Sequence, residues 1–217
     1  MAAFLVSYRP LAVTARGRQA AKSWGIPLYA DGSCRREPDL QSHYPSITAL
    51  CRGGLFAPKL CVGDEVLYIT VKSAFGSKEP PHYKLVAHLR VIFCSRLHED
   101  AAVWYETRGL PMPSNCMVSA NPPVPYEQTN GKNGKNWHAH PEATRLKWWD
   151  GGYRKRAKLF GSFVHCEALY LNISNPLSLL KEDFIQVFGR VPSTQNPPRI
   201  SNQERDSLIA AACQRCS

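Results

Sequence analysis

No apolar run in the 217 residues approaches the roughly 18 to 20 that a membrane-spanning helix needs, so a helical membrane protein is excluded. The N-terminus, MAAFLVSYRP, carries no basic stretch ahead of its five apolar residues; it reads as a first strand, not an export signal, and a cytoplasmic location is expected. No phosphate loop, dinucleotide fingerprint, internal repeat or heptad pattern occurs, so the common nucleotide-cofactor folds find no support and no cofactor is expected. Acidic residues are scarce: 17 Asp and Glu face 27 Lys and Arg, a formal charge of +10 that favours a polyanionic partner.

Eight cysteines are present, and without an export signal they are expected to stay reduced, mostly as small buried hydrophobes. Cys213 and Cys216 have metal-like spacing, but no second pair joins them, so no metal site is expected.

Residues 3–8 read as a strand ended by Arg9-Pro10, and 17–24 as two helical turns stopped by Gly25 and Pro27. From 28 to 59 turn formers dominate, and a loop of that length is expected to be functional or disordered. Val66 to Val71 is rich in β-branched and aromatic residues after a Gly63-Asp64 turn. From Tyr83 to Phe93 the odd positions are all apolar, which predicts a strand with one face on the core. Residues 98–108 suit a helix stopped by Gly109, and 110–137, with five prolines and an NGKNGK run, suits a second long loop. A strand over 163–173, a short helix over 181–188 closed by Gly189, and a helix opened by the capping box Ser201-Asn-Gln-Glu204 follow. Strands and helices do not alternate as a doubly wound sheet requires. The expectation is one α+β domain over 1–217, built on a strongly bent sheet or small β-barrel with flanking helices and long loops.

The charge is concentrated. Between Lys132 and Lys158 eight basic residues face two acidic ones, leaving +6 of the total +10. Lys132, Lys135, Arg145, Lys147, Arg154, Lys155 and Arg156 are candidate phosphate contacts, with Arg199 beyond them. Trp137, Trp148 and Trp149 are candidate stacking surfaces, because cations track phosphates while flat rings stack on bases. The alternative is that the tryptophans pack in the core and the basic run is a solvated helix face.

A second cluster, Asp31-Gly-Ser-Cys-Arg35-Arg36-Glu37 followed by Tyr44, admits two readings. The arginines pair with neighbouring carboxylates, or they fork onto phosphate or a base edge while Asp31 or Glu37 accepts from a base amino group. The polar run Ser193 to Arg199, with Asn196, either reads a base edge or satisfies a turn.

Catalysis has three footholds. His138 and His140 could ligate a metal with Asp150 or His165, although two surface histidines are the simpler reading. Thr70 with Lys72 stands at a strand end. Cys34 sits beside Arg35, a setting that lowers a thiol pKa, but no base accompanies it. A binding module is therefore favoured, and no residue is assigned a catalytic role.

VGDEVLYIT followed by HYKLVAHLRVIF resembles the PUA-like superfamily, which includes PUA, ASCH, EVE and YTH domains. With SYRP, DGSCRREPDLQSHYPSITALCRGG, FAPKLCVGD and PSTQNPPRIS in that order, the chain is similar to the nucleotide-modification-associated group of bacterial and phage proteins. The likeness spans most of the chain, except that the basic aromatic insertion at about 130–160 has no counterpart. It implies a small barrel that binds nucleic acid and holds one modified base in an aromatic-lined pocket beside the first strand. On this sequence that neighbourhood is Tyr8, Asp31, Arg35, Arg36 and Tyr44. The competing functions are a nuclease or base-processing hydrolase using the same groove, and a protein-interaction module whose basic patch meets an acidic partner.

Overall fold

The computed structural model describes residues 1–131 and 137–215, and the side chain of Trp137 lies outside that description. Its centre is a seven-stranded mixed sheet made of β1 (Ala3–Tyr8), β2 (Ser46–Thr48), β3 (Glu65–Thr70), β4 (Tyr83–Ser95), β5 (Phe163–Leu171), β6 (Leu177–Leu179) and β7 (Arg199–Ile200). The strand order is β2-β5-β4-β3-β1-β7, with β6 paired to the start of β4. Strands β1 and β3 run parallel, Ala3 beside Glu65 and Tyr8 beside Thr70; the other pairings are antiparallel. This corrects the expected barrel, since β2 and β7 lie at opposite ends of the order and the sheet is open.

β1 and β3 are buried or half-buried at every position because both faces of the sheet are covered. Leu5, Leu67, Ile69 and Leu85 pack under α4 (Lys181–Phe188) and α5 (Asn202–Gln214) through Phe184 and Leu208. Each such fully buried side chain contributes about 1.5–3 kcal/mol relative to exposure. Val6, Tyr8, Val66 and Tyr68 point the other way, and the segment 29–60 covers them with Tyr29, Leu40, Phe56 and Leu60. The first long loop is therefore the second wall of the core, packed and buried through most of residues 29–40, and of the two expectations, functional or disordered, the disordered one is excluded.

The helices form where the start and stop signals stand. Thr14 caps α1 (Ala15–Trp24) by accepting from the Gly17 amide, and Gly25 ends it in the left-handed region. Ser201 and Glu204 cap α5 reciprocally. α2 (His98–Glu106) and α3 (Glu142–Leu159) flank the far end of β4 and the covering loop. α3 is the element that composition hid: Gly151 and Gly152 sit in its middle and argue against helix, while its inward residues Trp149, Asp150 and Tyr153 recur at helical spacing.

Candidate nucleic-acid interface

The cluster around Asp31 is ordered by its own side chains. Asp31 Oδ1 accepts from the Ser33 amide at 2.8 Å, the Ser33 hydroxyl at 2.5 Å and the Glu37 amide at 3.0 Å, winding the chain into a tight turn. Arg36, at φ 40°, donates to the carbonyls of Asp31 and Gln128. The Glu37 carboxylate accepts from the Thr48 amide at 3.0 Å, from the Thr48 hydroxyl, and from Asn115 at 3.1 Å. Asp39 holds the amides of Gln41, Ser42 and Ser114. Each of these buried side chains finds at least one partner, although the Arg36 Nε has none among the described residues.

Between this loop and the end of β1 lies a cleft of about 180 Å³. Tyr8 and Arg9 from β1, Tyr68 from β3, Ile47 and Thr48 from β2, and Asp31, Glu37, Arg52 and Phe56 from the covering segment line it. Its volume suits one ring-sized group: an apolar cavity of about 150 Å³ accommodates benzene. The Tyr8 and Tyr68 rings meet edge to face at 5.9 Å. Tyr8 spends its hydroxyl on the Tyr29 carbonyl at 2.5 Å, whereas the Tyr68 hydroxyl has no hydrogen-bond partner among the described residues. Asp31 Oδ2 likewise accepts no hydrogen bond there. Arg52, at φ 56°, fixes the rim by donating to Thr194 O at 2.5 Å and to Ser7 O, so its guanidinium positions backbone and is not free for phosphate.

Burial sets the titration of the cleft acids. Asp31 is pushed up to about 6, against the Ser33 hydrogen bonds and the Arg36 charge. Glu37 is pushed up to about 8, against the bonds from Thr48 and Asn115. Both acids thus exchange protons near neutral pH, and Asp31 has one oxygen unused among the described residues.

The family-model, characterised-protein and solved-structure comparisons return no match. The reading of the site therefore stands on its residues.

Of the candidate base contacts, Tyr8 and Asp31 line the cleft, and Asn196 lines a small recess beside it with Arg52 and Phe56. Arg35 and Arg36 are corrections. Arg35 is completely buried, donating to Asp150 at 2.5 Å and to the carbonyls of Ser114 and Asn121, and Arg36 is 2% exposed. Neither presents a fork to phosphate; they tie the loop together. Tyr44 is also elsewhere, 5.3 Å from Trp104 on the α2 side.

The basic window divides by helical phase. Lys147, Trp148, Lys155 and Lys158 face outward on α3. Arg145 stacks on Tyr126 at 4.8 Å, Arg154 pairs with Asp150 at 2.7 Å, and Arg156 lies 4.7 Å over Tyr153, all half-buried. Trp149 is 8% exposed and packs with Tyr126 and Tyr153, so it is core and not a stacking platform. Arg199 is exposed on β7. Lys132 and Lys135 lie outside the described residues, as does the Trp137 side chain.

The catalytic footholds separate too. His138 and His140 are exposed, Asp150 is held by arginines and His165 is inside β5; no group of three ligands that could hold a metal forms among the described residues. Thr70 is buried and accepts from the Lys84 amide, while Lys72 is exposed. Cys34 is corrected outright: burial and the Asp150 charge push its thiol up to about 12, the reverse of activation. Cys213 is an exposed free thiol, and Cys216 lies outside the described residues.

Sequence reasoning missed Tyr68, Thr48, Arg9, Arg52 and Phe56. Their assembly depends on the parallel β1–β3 pairing and on a loop folding over it. The one local signal was Tyr68, two residues from Val66 and so on the same sheet face.

Proposed function

We propose that this protein is a nucleic-acid-binding module of PUA-like kind, although built on an open sheet, that holds a single modified base in the Tyr8–Tyr68 cleft. The carrying observation is that a ring-sized, aromatic-walled cleft keeps one carboxylate oxygen, on Asp31, and one hydroxyl, on Tyr68, without a hydrogen-bond partner among the described residues. A base extruded from its strand needs an apolar slot plus hydrogen bonds to its edge, and these residue types supply both. Arg9 at the exposed rim and the outward lysines of α3 supply charge for phosphates. The seven described cysteines are all free thiols, which suits the reducing cytoplasm. No helix among the described residues is long and apolar enough to cross a membrane.

Fluorescence anisotropy with plain and base-modified oligonucleotides at one salt concentration tests the reading. Tighter binding of a modified strand, weakened by Tyr68→Phe and Asp31→Asn without loss of melting temperature, is expected. Equal affinity for both strands removes the modified base from the proposal, and no binding removes nucleic acid.

The raised acids favour one second reading, a base-processing hydrolase in which Asp31 or Glu37 transfers a proton at neutral pH. Product formed from labelled DNA or RNA by the native chain but not by Asp31→Asn would replace the binding module with this enzyme.

A further inference from the structure

Of the seven described cysteines only Cys61, Cys94 and Cys213 are exposed, and the first two are neighbours in space although distant in sequence. Cys61 stands where the covering segment ends and turns into β3, and Cys94 is the next-to-last residue of β4.

Backbone geometry brings them together. β3 and β4 pair antiparallel with Glu65 beside Arg90, and the pairing continues outward: Val91 donates its amide to the Asp64 carbonyl at 2.9 Å and accepts from the Gly63 amide at 2.8 Å. Carried on, that register sets position 61 against position 94. A turn holds the chain there. The Asp64 amide donates to the Cys61 carbonyl at 3.0 Å, the Asp64 carboxylate accepts the Cys61 amide at 3.0 Å, and Gly63, at φ 89°, supplies the left-handed residue. Cys94 Sγ then donates to the Leu60 carbonyl at 3.6 Å, the carbonyl of the peptide bond that leads into Cys61. Planar peptide geometry keeps that oxygen within about 3 Å of the Cys61 Cα, so the Cys94 sulfur lies less than about 7 Å from it. A disulfide joins Cα atoms about 4.4–6.8 Å apart, a span that facing positions on antiparallel strands meet. The Cys94 thiol is pushed up by burial and then by the charges of Cys61 and Asp64, so the two sulfurs sense one another. Because the thiolate is the form that attacks an oxidant, Cys94 suits the part of the resolving thiol.

We propose that Cys61 and Cys94 form a reversible oxidation site, closing to a disulfide that pins the end of the covering segment to β4. The oxidant is hydrogen peroxide. The Cys61 thiolate attacks one peroxide oxygen, the O–O bond breaks, and the departing hydroxide takes up a proton as water, leaving a sulfenic acid on Cys61. The Cys94 sulfur attacks that sulfur; its own proton leaves with the displaced hydroxyl as a second water, and the S–S bond forms. Two thiols are oxidised by two electrons in all, and one peroxide is reduced to two waters. A dithiol reductant returns both thiols by exchange. Neither cysteine lines the Tyr8–Tyr68 cleft, but Phe56, five residues before Cys61, does, so the bond fixes one wall of the cleft from behind. The proposal holds whether or not the cleft takes a base.

Trypsin releases the two cysteines on separate fragments, 60–72 and 91–96, each with a single thiol, which makes the bond directly readable. The reduced full chain is treated with a few equivalents of hydrogen peroxide, its remaining thiols are capped with N-ethylmaleimide, and the monomer is digested without reductant for mass spectrometry. The two fragments joined, two hydrogens lighter than the separate pair and parted again by dithiothreitol, are expected. Recovery of both fragments capped or singly oxidised, while Cys213 has reacted, overturns the proposal, as does a joined pair found only in a covalent dimer. Cys94→Ser, at an exposed position, supplies a second measurement. Dimedone, which captures sulfenic acids, should label Cys61 several-fold more in this variant than in the native chain, because the resolving thiol is gone; equal labelling overturns the proposal.

Discussion

Arg35 Nε donates to Asp150 Oδ1 at 2.5 Å, joining the covering loop to α3 through a guanidinium with no solvent exposure. Two charges withdrawn from water are tolerated only together, so removing one partner is the severe change. Asp150→Ala should destabilise the chain by about 3–5 kcal/mol in denaturant unfolding, because it leaves Arg35 charged and buried. A loss below about 1 kcal/mol would mean that water reaches Arg35 after all.

The stability of the fold should stay nearly level from about pH 5 to 6, where the raised acids and the lowered histidines offset one another, and fall above that. Glu37 sits at about 8 against an ordinary 4.5, so between those values the folded chain keeps a proton that the unfolded chain has released, and stability falls as pH rises. Asp31 adds to this fall only up to about 6. His98 and His165, both lowered to about 4, act in the opposite sense: below 6.5 the unfolded chain takes up protons that they refuse, so stability falls as pH drops. Above 6.5 Glu37 acts alone among these four. The melting temperature should therefore decline from pH 6.5 to 8 in the native chain and stay level there in Glu37→Gln; a decline of equal size in the variant would assign it to another group.

Gly151 and Gly152 weaken α3 without any packing reason, since a Cβ at either position meets nothing within 4 Å. Gly151→Ala and Gly152→Ala should each stabilise the chain by about 0.5–1 kcal/mol through helix propensity, read as a higher melting temperature. A lower one would show that the bare helix is needed for packing.

If α3 meets nucleic acid, its outward lysines meet phosphate. Lys147→Gln and Lys155→Gln should each lower affinity about equally for all sequences and reduce the slope of log affinity against log salt by about 1. An unchanged slope would place the strand on another face.

Elements governed by neighbouring residues were legible in the sequence. The helix over Lys181–Phe188 has Gly189 at φ 70° behind it, and the alternation from Tyr83 to Phe93 marked β4 because one face lies on the core. What depends on partners far along the chain was not legible. β2, β6 and β7 are three residues or fewer, and β1 lies parallel to β3 across an intervening segment of more than fifty residues, a pairing with no local signature. The same limit governed the site. Asp31 and Tyr8 were visible as polar and aromatic groups near the first strand, but Arg35 and Arg36 looked like surface charges because their acceptors, Asp150 and the carbonyls of Ser114, Asn121 and Gln128, lie some eighty to one hundred and fifteen residues away.

The rim of the cleft is tied by Arg52 to Ser7 near one end of the chain and to Thr194 and Gln195 near the other, and β7 pairs with β1 just beyond. During synthesis the first strand and the covering loop emerge long before those anchors exist. The cleft is therefore completed only after residue 194 has been translated, and a nascent protein short of it presents its polar parts without the closed slot.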